Sequence, residues 1–511
     1  MNLIFVDTKT TGLDPFKDSI TLLQIKQGSE IRLIKTFTDD KIADIRNLLE
    51  NNLIIGHNLK FNLKFLKHQF DINPLNLFDI WIAEIIISGG MKAAQEETTA
   101  LEAVVKDRLN IELNKDKELR TLFKGGEISR EHIYKYAMEV AVLPPIYNRQ
   151  KEELKEFGLE KVFKIEMDCI PATVWLELSG IPFDFEGLKK LQIETEKKIE
   201  DVEAKQSIGL NDENIKEYHK QQNLLTGLSK YPKYINPVTG RIHSNFNQLG
   251  AHSGRFSSSK PSLQNVPREK KIRALFKAGE GNKIITADYS QNELRIIAEV
   301  SQEPKFLEIY KNNGDLHRLT ASLLLKKPES EITTEERQQA KAVNLGFAYG
   351  LGAKSFKDKA KKDYNIDISL EKAQEFRNTF FKNYPVLLSY LQTAARTASE
   401  QKQIRNKTGR LVKFEQGLEA WQYENMGRNT PIQSLSADIT KTAMGRLYHK
   451  LKPLNAKLIN SVHDELVFEV KEDKVKEAAQ VIKEEMEAAG SEYLKSIPCI
   501  IEIVTGESWQ K

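Results

Sequence analysis

Short apolar runs and helical periodicity alternate along the first third of the chain. The runs NLIFVD, SITLLQIK and EIRLIKTF have the pattern of strands, and after a helical stretch NLIIGHN leads into the amphipathic segment LKFNLKFLKHQF. This order predicts an α/β domain that begins with hairpins and extends from Asn2 to about Arg149. The segment YNRQKEELKEFGLEKVFKIEMD follows without a Gly/Pro-rich linker, so the domain boundary near residues 150 to 160 should lie within helical structure.

A densely charged helix is predicted from Gly187 to Gln206. Its apolar residues, Leu188, Leu191, Ile199 and Val202, have helical spacing, which indicates one buried stripe and wide solvent exposure. Charge runs are usually solvated faces, so the simplest interpretation is a surface helix within a helical hairpin.

Two acidic residues are predicted at strand ends. The run KIITAD ends at Asp288, and in the following YSQNELRIIAEV the capping-box spacing of Ser290 and Glu293 predicts a helix that starts at Ser290. Further on, KLINSVHDELVFEV is predicted to form a hairpin with His463, Asp464 and Glu465 at its tip.

These carboxylates have two interpretations. Polar residues at a tight turn are common without any function. Two strand-terminal carboxylates on one sheet would also suit two Mg²⁺ ions about 4 Å apart, the arrangement that catalyses phosphoryl transfer. The spacing in sequence does not show that Asp288 and Asp464 meet.

A third pattern lies between them, in TTEERQQAKAVNLGFAYGLG. Thr333 and Glu336 have capping-box spacing, which predicts a helix start. The residues that recur every four positions along this segment are Arg337, Lys341, Leu345 and Tyr349. Such residues drift slowly along one helix face, and two cations one turn apart suit a triphosphate. An exposed helix with scattered Arg and Lys is the alternative.

Composition sets the class of protein. A chain of 511 residues is expected to form two or more domains, and its 40% hydrophobic and 29% charged residues are typical of a soluble globular protein. The net charge of +4 is nearly balanced, so a nucleic-acid surface would have to be a local patch. Two cysteines are too few for a disulfide framework, and no apolar run approaches the ~20 residues that span a bilayer. We therefore expect an intracellular enzyme of the cytoplasm or nucleoid that has no membrane partner.

Several segments together resemble the family A DNA polymerases, the DNA polymerase I family. The matching motifs occur in the family's order and are TGRIHSNFNQLGAHSGRFSSSKPSLQNVP (239–267), DYSQNELR (288–295), RQQAKAVNLGFAYG (337–350), VHDE (462–465) and GESW near the C-terminus. The resemblance is to a Klenow-like chain without a 5′ nuclease domain. It implies a mixed α/β and α+β multidomain fold, in which an RNase H-like 3′–5′ exonuclease domain precedes a right-hand polymerase domain with palm, fingers and thumb.

The resemblance implies a division of the chain. Residues 1–155 would form the exonuclease-like domain and residues 156–511 the polymerase domain, with the thumb at about 186–238, the fingers at about 306–410 and the palm from the rest. The charged helix would then belong to a thumb that grips duplex backbone. The implied partners are primer-template DNA and dNTPs, and the implied oligomeric state is a monomer.

The resemblance also assigns roles at the polymerase site. Asp288 and Asp464 would hold two Mg²⁺ ions, with Mn²⁺ as a substitute, and Glu465 would support the site. Lys341 would contact the triphosphate and protonate the leaving pyrophosphate. The residues implied around the nucleotide are His317, Arg337, Lys341, Leu345, Tyr349, Glu293 and Gln291. The residues implied at the DNA are Arg255, Gln264, Asn265, Asn429, Gln433 and His463, some of them facing minor-groove acceptors that all base pairs share.

Three positions of this site either have two interpretations or depart from the family's usual residue. Glu293 has two compatible interpretations, a helix cap by spacing and, by resemblance, a steric gate that excludes a ribose 2′ hydroxyl. Asn292 replaces the family's usual Ile and is expected to place an amide beside the nucleotide pocket. Leu345 stands where the family usually has Phe or Tyr.

The exonuclease motifs of the N-terminal domain are incomplete. Four acids would be expected, in motifs that here read Asp7-Thr8-Lys9, GHNLKFN ending at Asn62 and YAMEV ending at Val140. Of the four acid positions, Asp7 alone keeps its carboxylate, and Lys9 adds a positive charge where a metal ligand is expected. We therefore predict that proofreading is lost. The alternatives are a site rebuilt with Glu139 or Asp79 that retains editing, and a catalytically silent nucleic-acid-binding protein.

Overall fold

The structure, a computed structural model, describes residues 1–93, 95–113, 130–206 and 212–509. Part of the predicted thumb, residues 207–211, lies outside these ranges. None of the helices in the described ranges combines the length and the apolar character that crossing a membrane requires.

The N-terminal lobe is built on a five-stranded sheet with the order β3-β2-β1-β4-β5. The first three strands form antiparallel hairpins, whereas β1, β4 and β5 run parallel. The strands are β1 Leu3–Thr10, β2 Ile20–Gln27, β3 Glu30–Ile34, β4 Leu53–Gly56 and β5 Leu77–Asp79. The helices are α1 Asp39–Glu50, α2 Leu59–Phe70, α3 Ile80–Ile87, α4 Glu96–Thr99, α5 Leu101–Leu109, α6 Arg130–Ala141 and α7 Leu143–Glu156. The predicted order of hairpins and then βα units is confirmed.

One long helix joins the N-terminal lobe to the rest of the chain. This helix, α8 Glu160–Ser179, places Cys169 and Leu176 in the core of the second half and Met167 and Val174 in the core of the N-terminal lobe. Because each of its faces is buried in a different core, the chain changes core within helical structure, as the missing linker predicts.

The charged segment forms the first arm of a helical hairpin, α9 Phe185–Gln206, which packs on α10 Asp212–Leu228. Its predicted apolar stripe is buried, from Leu188 with no exposed area to Val202 at 9%. The short strands β6 Ile181–Pro182 and β7 Arg241–Ile242 close the base of this hairpin, and β8 Asn245–Asn247 pairs with β9 Ser257–Ser259.

The second half centres on a four-stranded antiparallel sheet with the order β13-β14-β10-β15. The helices before and after its first strand are α11 Lys270–Arg273, α12 Asn292–Ser301, α13 Pro304–Lys311, α14 Leu316–Leu325, α15 Thr334–Phe347, α16 Ala353–Tyr364, α17 Leu370–Asn383 and α18 Pro385–Gln401. The strands are β10 Asn282–Tyr289, β11 Gln403–Arg405, β12 Leu411–Lys413, β13 Lys457–Val462, β14 Glu465–Lys471 and β15 Ile501–Gly506. The remaining helices are α19 Ala420–Leu451 and α20 Val475–Ser491.

Two predicted element boundaries are wrong. The helix after β10 begins at Asn292 rather than Ser290, because Gln291 turns the chain with φ 51° and the Ser290 hydroxyl donates to Glu502 at 2.6 Å instead of capping. Tyr349 lies beyond α15, which ends at Phe347, so it does not continue the helical row.

Candidate active site

The sheet brings the two predicted acids to one edge. Asp288 is the penultimate residue of β10 and pairs across the sheet with Glu465 of β14. The turn of the β13–β14 hairpin is His463-Asp464, and the amide of Tyr289 donates to the Asp464 carbonyl oxygen at 3.4 Å. The end of β10 and this turn are therefore in direct contact.

The chemistry of this edge suits a hard cation. Both residues are half-buried and offer carboxylate oxygens, the ligands that Mg²⁺ prefers. Within the described ranges, no three or more His, Cys, Asp or Glu side chains gather as a complete metal centre. Two carboxylates fill few of the positions around a Mg²⁺ ion, and in catalytic sites water and substrate phosphate usually fill the others.

Glu465 is buried and bound by other side chains of the protein. It is the first residue of β14, not part of the hairpin tip, and it is 4% exposed. Its Oε1 accepts a hydrogen bond from Trp509 Nε1 at 2.8 Å and lies 3.5 Å from Arg273 Nη1. These contacts anchor the strand directly after Asp464.

Helix α15 begins with the predicted capping box. The Thr333 hydroxyl accepts from the Glu336 amide at 3.2 Å, and Glu336 Oε2 accepts from the Thr333 amide at 3.0 Å. One residue later, Arg337 donates from Nε to Asp315 Oδ2 at 2.5 Å. Asp315 also caps α14, because its Oδ1 accepts from the amide of His317 at 2.9 Å. The Asp315 carboxylate thus bonds both to Arg337 and to the backbone of His317, two residues predicted to contact the triphosphate.

His317 is a buried, uncharged imidazole. Burial lowers its pKa to about 4, Asp315 opposes this shift, and the positive charges of Arg337 and Lys341 add to it. At neutral pH the ring therefore carries one proton.

Glu293 contacts two of the other predicted residues. Its carboxylate accepts hydrogen bonds from the Arg255 guanidinium and from the Tyr349 hydroxyl. Burial and the nearby Glu293 charge raise the pKa of Tyr349. Because Glu293 does not cap α12, the capping interpretation is wrong.

Apart from Arg255, which lies in the loop before β9, the predicted DNA-side residues lie on three elements. Gln264 and Asn265 belong to a short turn in which the backbone amide of Gln264 donates to Ser258 Oγ at 3.1 Å. Asn429 and Gln433 lie one turn apart on α19, both half-buried. His463 is exposed at the hairpin turn with φ 58°.

Asn292 packs between two helices. Its side chain is buried between α12 and α19, where Nδ2 donates to Ser436 Oγ at 2.9 Å. Its amide therefore stabilises the contact between these helices. Leu345 packs, partly buried, against the main core.

In the N-terminal lobe, Lys9 stands between two carboxylates. Its Nζ lies 2.7 Å from Asp7 Oδ2 and also forms an ion pair with Glu139. Burial alone would raise the pKa of Asp7, but the charge and hydrogen bond of Lys9 outweigh it, so this pKa is lowered. Burial would lower the pKa of Lys9, but the two carboxylates raise it.

The other exonuclease positions are also occupied by structural contacts. Asn62 Oδ1 accepts from the Thr8 hydroxyl at 2.8 Å, and Val140 is fully buried. Asp79 does not join Asp7; it caps α3 and accepts from the amides of Asn58, Leu59, Trp81 and Ile82. Burial raises the Asp79 pKa to about 6 against those hydrogen bonds.

Sequence reasoning missed several residues that hold these sites together. Arg410 is 4% exposed and its Nη2 lies 2.5 Å from both Glu166 Oε1 and Asp438 Oδ1, which ties α8 to α19. No local pattern marks this cluster. Asp315 could have been found as the N-cap before LHRLTASLLL. Its ion pair with Arg337 depends on tertiary packing.

Comparison with known proteins gives consistent results. The profile described as DNA polymerase family A matches residues 183–511, and the profile described as 3′-5′ exonuclease matches residues 1–155. DNA polymerase I of Aquifex aeolicus is 31% identical over 99% of this chain and 96% of the relative. DNA polymerase I of Caldicellulosiruptor bescii is 30% identical over 90% of this chain, which spans 59% of that relative's length.

A solved structure shows the same fold. The polymerase domain of Pol1 from M. smegmatis, in complex with DNA primer-template and dNTP, superposes with a TM-score of 0.84 at 24% identity, covering 99% of this chain and 95% of the other. The predicted fold class, an exonuclease-type domain followed by a family A polymerase domain, is confirmed.

Proposed function

Because this chain belongs to DNA polymerase family A, a family of DNA-directed DNA polymerases, we propose that it adds dNTPs to a primer 3′ end on a DNA template by two-metal phosphoryl transfer. The observation that carries this proposal is the contact between the end of β10 at Asp288 and the Asp464 turn. The primer-template and dNTP in the M. smegmatis complex support the choice of these substrates.

Asp288 and Asp464 are the proposed ligands of two Mg²⁺ ions, with Mn²⁺ as a substitute. When bound, the ions would supply positive charge at the reacting phosphate and lower the pKa of the primer hydroxyl. Arg337, Lys341 and His317 converge from α14 and α15 to orient the triphosphate, and Lys341 is the proposed proton donor to pyrophosphate. Glu465 keeps β14, and with it Asp464, in place.

Glu293 is the proposed gate for the sugar. Its carboxylate is held by the hydroxyl of Tyr349, just after α15, and by the guanidinium of Arg255, just before β9, so its position is fixed from two sides. A ribose 2′ hydroxyl placed against this group would meet an occupied position, which favours dNTPs over NTPs. Gln291 and Leu345 complete the proposed nucleotide pocket.

The remaining assignments concern DNA. Arg255, Gln264, Asn265, Asn429, Gln433 and His463 are proposed to contact the primer-template. The charged hairpin within 186–238 is the proposed thumb, with fingers at about 306–410 and palm segments elsewhere in 156–511. Since such a thumb would bind phosphates, DNA affinity should fall as salt concentration rises.

Charge-removing variants test the metal ligands. Asp288→Asn and Asp464→Asn should each reduce Mg²⁺-dependent primer extension by more than about a hundredfold, the upper range for residues that only support a metal ligand. Asp473→Asn, the same change at an exposed palm position, should extend normally. Robust synthesis by either active-site variant would refute the assignment, and the absence of single-turnover incorporation in the unaltered chain would favour a silent DNA-binding protein.

We further propose that residues 1–155 have lost proofreading, because the Lys9 ammonium forms ion pairs with both Asp7 and Glu139. A 5′-labelled primer with a terminal mismatch should keep its length when incubated with Mg²⁺ and no dNTPs. Adding dNTPs to a matched primer in the same preparation confirms that the enzyme is active. Progressive shortening of the mismatched primer would instead establish a rebuilt exonuclease site.

A further inference from the structure

A buried chain of hydrogen bonds runs behind His317. The Tyr384 hydroxyl lies 2.9 Å from Thr320 Oγ1, which donates to Asn344 Oδ1 at 3.0 Å, and Asn344 Nδ2 lies 2.9 Å from His317 Nδ1. Each of these side chains is at most 2% exposed. Helices α14 and α15 and Tyr384, the residue between α17 and α18, are thus linked to one imidazole.

The orientation of the Asn344 amide is fixed independently of the histidine. Its Nδ2 lies 3.4 Å from the carbonyl oxygen of Leu316, a group that can only accept a hydrogen bond. Its Oδ1 faces the Thr320 hydroxyl. The amide nitrogen must therefore be the donor to His317 Nδ1, which leaves the single ring proton on Nε2.

The charged groups around His317 do not override this arrangement. Asp315 precedes it on the same helix, and Arg337 and Lys341 face it from α15. Asp315 is already bonded to Arg337 and to two backbone amides of α14.

We propose that Asn344 is a positioning residue that holds His317 in the Nε2–H tautomer, so that a neutral imidazole donates a hydrogen bond to the incoming triphosphate. This inference rests on the proposed function in assigning His317 to the triphosphate. A neutral donor of this kind keeps its proton across the physiological pH range, whereas an imidazolium would lose one near pH 6.5.

The tautomer can be measured without catalysis. In protein labelled with ¹⁵N-histidine, the His317 signals, identified by their loss in His317→Gln, should show a protonated Nε2 and an unprotonated Nδ1 at pH 7 and still at pH 5.5. Asn344→Asp replaces the donor with an acceptor, so Nδ1 should gain a proton. Tyr384→Phe removes the far end of the chain and should leave the tautomer unchanged. A protonated Nδ1 in the unaltered chain overturns the inference.

Kinetics test the consequence for substrate. In Asn344→Asp, Nε2 keeps a proton only while the ring is cationic, so KM for dNTP relative to the unaltered enzyme should rise about tenfold between pH 6 and pH 8, the scale of one hydrogen bond to a charged group. Because the KM of the variant is divided by the KM of the unaltered enzyme at the same pH, the effect of dNTP protonation cancels. The pH effect should vanish when Asn344→Asp is combined with His317→Gln, and kcat should change less than KM.

The outcomes separate the two proposals. A KM ratio that is constant with pH overturns the role of Asn344, even when primer extension is normal. A chain that binds no dNTP and extends no primer refutes the proposed function, and the NMR signals of His317 still decide the tautomer. Far-ultraviolet circular dichroism on each variant identifies any that fail to fold. If Asn344→Asp does not fold, Asn344→Ser is the replacement variant, because it also lacks the side-chain amide.

Discussion

Lys9 acts as an internal counter-ion for Asp7 and Glu139. About a fifth of the Lys9 and Asp7 side chains is exposed, so the network is neither fully buried nor freely solvated. Gln24 Nε2 adds hydrogen bonds of 3.3 Å to both carboxylates. The two acids can lie close together because the single ammonium between them offsets part of their mutual repulsion.

We expect Lys9→Met to destabilise the N-terminal lobe by about 2 kcal/mol at pH 7, less than a fully buried pair because the site is partly exposed. The folded-state pKa of Asp7 is lowered, so the stabilisation is present above the ordinary Asp pKa and is lost as pH falls below it. The deficit of the variant should therefore persist from pH 7 to about pH 4 and shrink only at lower pH. Thermal unfolding at about pH 7, pH 4 and pH 3 is the measurement.

Lys26→Met is the matched control for this experiment. Lys26 lies in the same sheet, and its Nζ donates to the carbonyl oxygen of Gly28, an uncharged partner. Its replacement should change stability by less than about 0.5 kcal/mol, as is usual at surface positions. Equal stability of Lys9→Met and Lys26→Met would show that the ion pairs contribute nothing.

At the scale of elements, α19 depends on a close approach to α18. A Cβ added at Gly427 would lie 2.5 Å from the Ala394 carbonyl oxygen and from the Ala398 Cβ. Since the obstacle is largely backbone, the helices would have to separate. Asn429 and Gln433 follow within two turns, so their placement depends on this contact.

We predict that Gly427→Ala destabilises the protein by about 1–3 kcal/mol, the usual cost of overpacking. It should also slow primer extension, because α19 carries the proposed Asn429 and Gln433 contacts. Gly227→Ala is the control: that glycine lies in helix α10 with no atom within 4 Å of an added Cβ. Its replacement should stabilise by up to about 1 kcal/mol through helix propensity. Denaturant unfolding of both variants is the measurement, and a stabilised Gly427→Ala would contradict the close approach.

Local sequence patterns predicted the helices and strands better than they predicted the contacts between them. The hairpins, the strand ending at Asp288 and the α15 capping box follow from periodicity and capping chemistry within a few residues. The start of α12 did not, because Glu293 is bound by Arg255 and Tyr349, which come from distant parts of the chain. For the same reason, the sequence identified Lys9 as anomalous but could not show that Glu139 reaches it.

At the scale of the whole molecule, Glu177 fastens the N-terminal lobe to the second half. Its oxygens lie 2.6 Å from Lys60 Nζ and 2.7 Å from Lys64 Nζ, both on α2. Its Oε1 also accepts from the Phe246 amide at 2.8 Å. Burial alone would raise the pKa of Glu177, but the two lysines outweigh burial and lower it.

Glu177→Gln should destabilise the protein by about 3 kcal/mol at pH 7, because it leaves two lysines without their shared partner. A carboxylate with a lowered folded pKa stabilises above its ordinary pKa, so the difference from the unaltered chain should disappear as pH falls below about 4. Glu186→Gln, where the side chain is 73% exposed in its pair with Lys189, should be nearly neutral. Chemical denaturation from about pH 2.5 to pH 7 measures both, and a deficit that stays unchanged well below pH 4 would contradict the assignment.

The positive charge beside Asp7 and Glu139 belongs to Lys9, a residue of the chain itself. On the proposed function, a chelating agent would remove ions from the edge formed by Asp288 and Asp464, but it could not remove the ammonium of Lys9. On the proposed function, metal starvation would stop synthesis and leave the architecture of the first 155 residues unchanged. The two halves of one polypeptide would thereby differ in what they require from the surrounding solution.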